Sequence, residues 1–191
     1  RNYMQIADTD ILDAFKQNVN KGGSLLFRRY YKPLILFSNS LLNDDTFSED
    51  IVQDVFYHFI NTHAYNRISP NTLATFLFRA ARNLCVNKIR NTREYTYAEL
   101  LSFEATEEEA ITFSPELVEA IRKAIRQLPE KTRAVVLSII VEKKKYKETA
   151  ESLNVSVNTV KTLLNHGLKQ LRKQFSDPAI FLFMLSQQSC L

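Results

Sequence analysis

Glycine is scarce in this chain of 191 residues, which has three glycines, at Gly22, Gly23 and Gly167. A loop that cradles a phosphate through its backbone amides needs several closely spaced glycines. The sequence therefore excludes this class of nucleotide site. Tryptophan is absent, but 45% of the residues are hydrophobic, which is enough to build ordinary cores and excludes disorder by composition.

Cysteine and histidine are also rare. Cys85 and Cys190 lie far apart and form no CxxC pair, and His58, His63 and His166 have no second ligand at metal-binding spacing. These patterns exclude a disulfide framework and a metal cluster. No nucleophile–base pair is visible, so we expect a protein that is not an enzyme and that binds no metal or cofactor.

Long hydrophobic runs are missing as well. A membrane span needs roughly 18 consecutive apolar residues, and the apolar stretch at 179–185 is much shorter. The first residues lack the core of a signal peptide, and the two distant cysteines fit a reducing compartment. We therefore expect a cytoplasmic protein without a membrane partner.

Charge is plentiful but uneven along the chain, whose formal net charge is +4. Residues 101–114 carry four glutamates and no basic residue, whereas residues 115–173 carry 13 Lys and Arg against 6 Asp and Glu. A basic module behind an acidic connector indicates a polyanionic partner for that module.

The sequence has no strand alternation of any length, so it predicts an all-α protein. In the first half, Gly22-Gly23 is expected to break the chain and Pro33 to kink the helix around it. The expected helices run over about 10–20, from Ser24 to Leu42, from Thr46 or Ser48 to about Ile60, and from Pro70 to about Thr92.

In the second half, Ser114-Pro115 is a cap followed by proline, and Leu128-Pro129 ends the helix that starts there. Further helices are expected at 130–141, 146–153 and 157–173. The predicted organisation is two small helical domains at 1–92 and 114–175, an acidic flexible linker at 93–113, and a C-terminal tail at 176–191.

The last two predicted helices are joined by only three residues, 154–156, which is the helix-turn-helix arrangement. The apolar face of the second helix must pack on the preceding helices, which leaves its opposite face for bases and phosphates. The candidate DNA-binding residues are Lys147, Ser156, Asn158, Thr159, Lys161, Thr162, Asn165, His166 and Lys169. The alternative interpretation is an amphipathic helix pair with a solvated polar face.

Residues 128–173 resemble region 4 of the extracytoplasmic-function (ECF) sigma factors of bacterial RNA polymerase. The family pattern LPxxxRxVxxL, then YxE(I/T)AxxL, then SxxTVK is similar to LPEKTRAVVL, YKETAESL and SVNTVK in this chain. The resemblance implies a module that docks on the −35 element of a promoter. Leu163 stands where many members carry Arg, and no Arg lies on the expected recognition face.

The first half resembles region 2 of the same family. SEDIVQDVF (48–56) is similar to the family's AEDLVQEVF, and FLFRAARNLCVNKIRN (76–91) is similar to its WLxRIARNxxx(D/N)xxR. The two resemblances occur in the family's order along the chain. They imply a sigma factor that binds core RNA polymerase and directs promoter recognition and DNA melting.

The resemblance to region 2 also implies a site for single-stranded DNA, where the −10 element opens and a flipped base is held. An aromatic ring can stack on such a base, Asn can bond its edge and Arg can follow the backbone. The candidate residues are Tyr65, Asn66, Arg67, Arg79, Arg82, Asn83 and Arg90. The buried stripe of the same helix is expected to be Leu73, Phe76, Leu77, Ala80 and Leu84.

A third surface is expected on the polar side of the helix near 48–60. The resemblance implies that it binds the β′ clamp helices of core polymerase, whereas a solvated acidic face is the alternative. Its residues are Asp50, Gln53, Asp54, Tyr57 and His58. The acidic linker, with Glu104 and Glu107 to Glu109, is implied to run toward the RNA exit path.

The other partners that the resemblance implies are the β flap of the polymerase, promoter DNA in duplex and single-stranded form, and an anti-sigma factor or another recruiting protein. From the residues alone, two other classes stay open. One is a stand-alone helix-turn-helix regulator that binds duplex DNA, and the other is a protein-interaction adaptor.

Overall fold

The computed structural model describes residues 6–90 and 114–187, in which helices are joined by short loops. The first range contains α1 (Asp8–Gln17), α2 (Val19–Leu42), α3 (Asp45–Asn61), a short 3-10 turn (Ala64–Asn66) and α4 (Pro70–Arg90). The second contains α5 (Pro115–Arg126), α6 (Glu130–Val136) with a π-helical continuation (Leu137–Val141), α7 (Tyr146–Leu153), α8 (Val157–Leu171) and α9 (Asp177–Ser186). Since these ranges contain no strand, the all-α prediction is confirmed.

The helices form two compact units, one built from α1–α4 and the other from α5–α9. The predicted linker at 93–113, which contains the four glutamates, lies outside the described residues. The predicted domain boundaries therefore stay a prediction. No helix in the described ranges is long and apolar enough to cross a membrane.

A partly buried polar cluster joins α1 to α2. The Asp8 carboxylate accepts hydrogen bonds from Arg29 Nε and from the Tyr30 hydroxyl, each at 2.8 Å. Burial, reinforced by the Asp8 charge, raises the pKa of Tyr30 well above its usual value. The hydroxyl therefore stays protonated and remains a donor to the carboxylate.

The helix α2 runs without interruption through Gly22-Gly23, so the predicted chain break is wrong. Gly22 packs against the Phe15 ring of α1, and a Cβ at this position would overlap the ring. The helix also begins earlier than expected, because Asn18 rather than Ser24 provides its cap by accepting from the Lys21 backbone N–H at 3.1 Å. This glycine serves close helix packing rather than chain reversal.

The cap of α3 also differs from the prediction of Thr46 or Ser48. Asp44 Oδ1 accepts a hydrogen bond from the Phe47 backbone N–H at 3.0 Å, and the helix begins at Asp45. The Ser48 hydroxyl instead donates to the Asp44 carbonyl at 2.6 Å. Several neighbouring residues could each cap, and the sequence alone did not select among them.

The core of the first unit is rich in aromatic rings. Phe59 is fully buried and lies between Phe15 and Phe76, with ring centroids 5.6 Å and 5.8 Å away. Phe37 contacts Phe78 at 4.8 Å. These contacts join α1, α2, α3 and α4 around one centre, and aromatic pairs of this geometry add stabilisation beyond buried area.

The first helix of the second unit has the cap that the sequence predicts. Ser114 Oγ accepts from the Leu117 backbone N–H at 3.4 Å, with Pro115 at the first position of α5. The helix expected over 130–141 is α-helical only to Val136, and its last turn, 137–141, is π-helical. Lys143 then adopts a left-handed conformation, with φ of 60°, which reverses the chain before α7.

The segment predicted as a C-terminal tail contains α9, and this helix belongs to the second unit. Ser176 caps it by accepting from the Ala179 N–H at 3.4 Å. Arg172 pairs with Asp177 at 2.6 Å, and Arg122 of α5 donates to the Gln187 side chain at 2.9 Å. The six apolar residues 180–185 are all buried, so this segment contributes to the hydrophobic core.

Candidate nucleic-acid interface

The turn between α7 and α8 has the geometry that the sequence predicts. Asn154 ends α7 in a left-handed conformation with φ of 51°, and the Val155 N–H donates to the Ala150 carbonyl at 3.0 Å. Ser156 Oγ then accepts from the Thr159 N–H at 3.0 Å and caps α8. These local bonds fix the direction in which α8 leaves the turn.

One face of α8 is packed and the other is left outside. Val160, Leu164, Leu168 and Leu171 are buried, as the periodicity predicts. Gly167 lies directly against α6, because a Cβ there would come within 2.6 Å of Val136 Cγ2. The close approach of the two helices supports α8 as a rigid element that presents its opposite face.

The structure places the residues proposed to contact duplex DNA on or beside that opposite face. Seven of them are exposed and two, Lys161 and Asn165, are half-buried. The exposed ones are Lys147, Ser156, Asn158, Thr159, Thr162, His166 and Lys169. The exposed set spans the length of α8, with Lys147 added from α7, and it is a continuous polar surface suited to a groove of duplex DNA.

Several of these polar groups already have partners within the helix. The hydroxyls of Ser156 and Thr159 are hydrogen-bonded to each other at 2.8 Å, and the Thr162 hydroxyl donates to the Asn158 carbonyl at 3.0 Å. His166 lies 3.4 Å from the Gln170 amide. Such bonds hold the hydroxyls toward the helix backbone, so Asn158 and Lys169 are the stronger candidates for contacts to DNA.

Basic side chains flank this surface. Lys161 Nζ lies 5.8 Å from the centre of the Tyr146 ring, which holds the ammonium near the start of α7. In the loop before α7, Lys144 pairs with Glu142 at 2.7 Å, and both side chains are partly exposed. A lysine in such an exposed pair can exchange its partner for a phosphate at little cost.

The loop 62–69 of the first unit does not place all its candidates outside. Asn66 and Arg67 are exposed, but Tyr65 is only 6% exposed. Its ring is stacked on Phe15 with centroids 4.5 Å apart. Because the ring is packed in the core of the chain, this placement argues against the expected stacking of Tyr65 on an unpaired base. Asn66 and Arg67 remain candidates for contacts to DNA.

The candidates on α4 are brought together on one side of the helix. At about 100° per residue, Arg79, Asn83 and Arg90 fall within one narrow sector, with Arg82 at its edge. Arg82 is exposed, and Arg79 and Asn83 are half-buried; the side chain of Arg90 lies outside the described residues. A half-buried amide one turn after Arg79 suits a base held near its own phosphates.

The buried stripe of α4 is partly different from the prediction. Leu73, Phe76 and Leu77 are buried as expected, but in the second half of the helix Ala81 and Cys85 are buried in place of Ala80 and Leu84. In this half of the helix, the buried positions lie one residue later in the sequence than predicted. Thr75 and Phe78 are buried as well, so the buried face of α4 is wider than the predicted stripe.

The polar side of α3 is exposed as the sequence predicts. Asp50, Gln53 and Asp54 are exposed, Tyr57 is 61% exposed and His58 is half-buried. Desolvation lowers the pKa of His58, although the neighbouring Asp54 acts in the opposite direction. The face therefore carries carboxylates beside a histidine that favours its neutral form, a surface with net negative charge.

An apolar groove beside this face was missed by the sequence analysis. It has a volume of about 310 Å³ and lies between α2 and α3, lined by Val19, Asn20, Gly23, Leu26, Phe27, Phe56 and Ile60. Phe27 is 50% exposed and stacks on Tyr31 at 4.2 Å. Val19, Gly23, Phe27 and Tyr31 follow one another at a spacing of four residues, which places them on one side of a helix and could have predicted the groove. The wrongly predicted chain break separated Val19 from that helix.

Comparison with known families gives two matches on this chain. Residues 26–95 match the family described as Sigma-70 region 2, and residues 118–171 match the family described as Sigma-70, region 4. The first range contains α3 and α4 and most of α2, and the second contains the helix-turn-helix formed by α7 and α8. Both candidate DNA-binding surfaces thus fall inside the matched ranges.

Curated proteins of Bacillus subtilis (strain 168) are similar over most of the chain. The ECF RNA polymerase sigma factor SigW is 29% identical over 188 residues, which covers 91% of this chain and 91% of that protein. RNA polymerase sigma factor SigZ is 26% identical over 149 residues, covering 78% of this chain and 84% of SigZ. ECF RNA polymerase sigma factor SigX is 26% identical over 159 residues, with coverages of 78% and 81%.

Proposed function

The chain belongs to the ECF-type sigma-70 family, and on this premise we propose that its three exposed polar surfaces bind core RNA polymerase, the −10 element and the −35 element. A sigma factor is a non-catalytic subunit that directs promoter recognition by RNA polymerase. The single observation that carries the assignment is the occurrence of region 2 and region 4 matches, in that order, on one chain. A stand-alone helix-turn-helix regulator would leave the region 2 match unexplained.

The −35 element is proposed to lie along the exposed face of α8. Asn158 can pair bidentately with adenine, and Lys169 and Lys147 can hold phosphates without reading sequence. The hydroxyls of Ser156, Thr159 and Thr162 are bonded within the helix. Each can accept one further bond, and the two threonines can also present a methyl group. Lys161, Asn165 and His166 complete the proposed surface.

The −10 element is proposed to contact the loop at 62–69 and the sector of α4 around Asn83. Base flipping requires a pocket that bonds the edge of an unpaired base. Asn83 is half-buried, so its amide can bond such an edge while remaining shielded from solvent. Asn66, Arg67, Arg79, Arg82 and Arg90 are proposed to hold the separated strand by its phosphates.

Core polymerase is proposed to bind the polar side of α3. The support is the placement of Asp50, Gln53, Asp54 and Tyr57, which are exposed on a helix whose other side is buried in the core. Acidic and aromatic side chains held on a rigid helix suit a basic partner surface, and exposed aromatic residues are enriched among binding hot spots. His58 lies at the edge of this surface.

Run-off transcription tests the proposed function. Purified core polymerase is mixed with a library of linear promoter templates, with and without this chain, and the transcript start sites are mapped. We expect defined start sites that occur only in the presence of the chain. Equal transcript patterns with and without it would contradict the assignment, and binding to duplex DNA with no effect on initiation would favour a stand-alone regulator.

A further inference from the structure

Val157, the first residue of α8, has an exposed apolar side chain, and its exposure serves no structural purpose in the helix. Within residues 114–187 it is the one large apolar side chain that is left exposed, at 38% of its surface. Ser156 provides the cap, and the buried face of α8 begins with Val160. Val157 lies three residues before Val160 and so continues the apolar stripe of α8 toward its start, but it is not covered there as Val160 is. Valine is also a poorer helix former than alanine, so neither capping nor propensity accounts for it.

The surroundings of Val157 leave it open to a ligand from outside. A recess of about 500 Å³ lies between α7 and the start of α8, with Val155 and Val157 among its lining residues. Lys147 and Glu151 line the same recess, and their opposite charges give no net attraction for a phosphate. The apolar side chain is therefore the distinctive group at this end of the surface, and it suits an apolar contact.

The polar groups next to Val157 narrow the choice of ligand. The Ser156 and Thr159 hydroxyls bond each other, and Thr162 donates to the Asn158 carbonyl. The Asn158 amide is thus the polar group beside Val157 that is best placed to read a base. In a helix-turn-helix, the N-terminal residues of the second helix contact base edges in the major groove, and the apolar group on those edges is the thymine C5-methyl.

We propose that Val157 is a specificity-determining residue that contacts the C5-methyl group of a thymine in the −35 element, beside a base pair whose adenine is read by Asn158. This inference rests on the proposed function of α8 in promoter recognition. It replaces the missing arginine contacts to guanine with two contacts that both favour A·T pairs. The residues of this surface that read bases would then begin one residue before Asn158.

Uracil substitution tests the contact, because uracil keeps the pairing edge of thymine and lacks only the C5-methyl group. The probe is a promoter duplex selected from a library randomised in the −35 region, bound by the full chain together with core polymerase. Each thymine is replaced by uracil in turn. We expect one position at which affinity falls about fourfold, the factor that corresponds to burial of one methyl-sized group.

Variants assign that loss to one residue. Val157→Ala should bind the thymine duplex about fourfold more weakly and should no longer distinguish thymine from uracil at that position. Val157→Thr, which retains a γ-methyl group, should keep the distinction, and so should Asn158→Ala, although it binds more weakly overall. Because Val157 is exposed and alanine favours helices, the thermal unfolding of Val157→Ala should match that of the unsubstituted chain.

Three results would overturn the inference. The first is a selected −35 element without thymine, the second is no effect of uracil at any position, and the third is undiminished discrimination by Val157→Ala. In each case, specific initiation by the unsubstituted chain would leave the proposed function standing. If the chain supports no specific initiation with core polymerase, the proposed function fails and this inference fails with it.

Discussion

The rings of Phe15 and Tyr65 stack in the core of the first unit, with centroids 4.5 Å apart and planes inclined by 9°. Phe15 belongs to α1, which lies before the range matched to region 2, whereas Tyr65 belongs to the loop that precedes α4. The stack therefore ties the position of the proposed −10 loop to the N-terminal helix. Loss of α1 should disturb this loop as well as the core.

Tyr65→Ala should act mainly on stability. Removing a buried aromatic ring costs about 3 kcal/mol in the free energy of unfolding, because the cavity collapses only partly. Urea denaturation followed by circular dichroism measures the change. Tyr57→Ala is the matched control, since Tyr57 is 61% exposed and its removal should cost no more than about 0.5 kcal/mol. Equal stability of the two variants would contradict the buried placement of Tyr65.

Asn83→Ala should slow promoter opening without weakening binding to closed duplex DNA. A lost hydrogen bond to an unpaired base edge is worth about 1.4 kcal/mol, which corresponds to about a tenfold slower opening. Permanganate footprinting of unpaired thymines follows the reaction. Asn87→Ala removes the same amide one turn further along α4 and should open the promoter at the normal rate. If Asn83→Ala also opens it normally, the flipped base is held elsewhere.

Asp50→Arg with Asp54→Arg should weaken binding to core polymerase at least tenfold and leave the helical content unchanged. Both carboxylates are exposed on α3 and lie off its buried face, so charge reversal affects the partner more than the fold. Native gel electrophoresis with core polymerase measures the binding. Asp13→Arg with Glu119→Arg makes the same charge change on α1 and α5 and is the control. Undiminished binding by the α3 variant, or an equal loss in the control, would refute the assigned face.

The parts of this fold that could be predicted from sequence are those decided by local bonds. The caps at Ser114 and Ser156 and the buried face of α8 need only neighbouring residues, and all three are confirmed. Gly22 shows the limit, because a glycine that ends a helix and one that admits a neighbouring ring look alike in sequence. The two cases are distinguished only by the Phe15 ring, which α1 places against Gly22.

The candidate sites follow the same division. The exposed faces of α3 and α8 follow from a 3.6-residue period, whereas the burial of Tyr65 depends on two rings that α1 and α3 bring to it. The groove at Phe27 was missed for a related reason, since it forms between two helices. Val157 was not a candidate because the 3.6-residue period places it on the apolar side of α8, and its exposure comes from its position at the end of the helix.

Cys85 should be protected from alkylation in the folded chain. The thiol is fully buried, and desolvation raises its pKa to about 11, although the nearby Ser38 hydroxyl acts in the opposite direction. The thiolate is the reactive form, so iodoacetamide at pH 8 should label Cys85 far more slowly in the native chain than in urea. Mass spectrometry of the Cys85 peptide gives both rates, and equal rates would contradict the buried thiol.

The same shift makes stability depend on pH. Between the usual cysteine pKa of 9.0 and about 11, the unfolded chain releases a proton that the folded chain retains. The contribution of this group to stability is therefore complete below pH 9 and is lost as the pH rises through 11. Cys85→Ala should reduce the slope of the unfolding free energy against pH in this window. The unfolding free energies of the two chains at pH 7 give the effect of the substitution itself, which is subtracted first.

The second unit by itself should bind duplex DNA with modest sequence preference. Its recognition face offers Asn158 and Val157 for bases but no arginine, and its lysines can hold phosphates of any sequence. We therefore expect the affinity of residues 114–187 to fall steeply with salt, with a specificity ratio below about 10³, the lower end for dedicated specific binders.

A salt series with the selected promoter duplex and a scrambled duplex measures both quantities. The fragment must include α9, because Arg172 pairs with Asp177 and Arg122 donates to Gln187 at the two ends of that helix. Lys169→Ala should lower affinity equally for the two duplexes, since a phosphate contact carries no sequence information. A ratio above about 10³ for the fragment alone would show that Val157 and Asn158 select the −35 element without help from region 2 or polymerase. A lower ratio means that stable promoter choice depends on the link between the two units and on core polymerase.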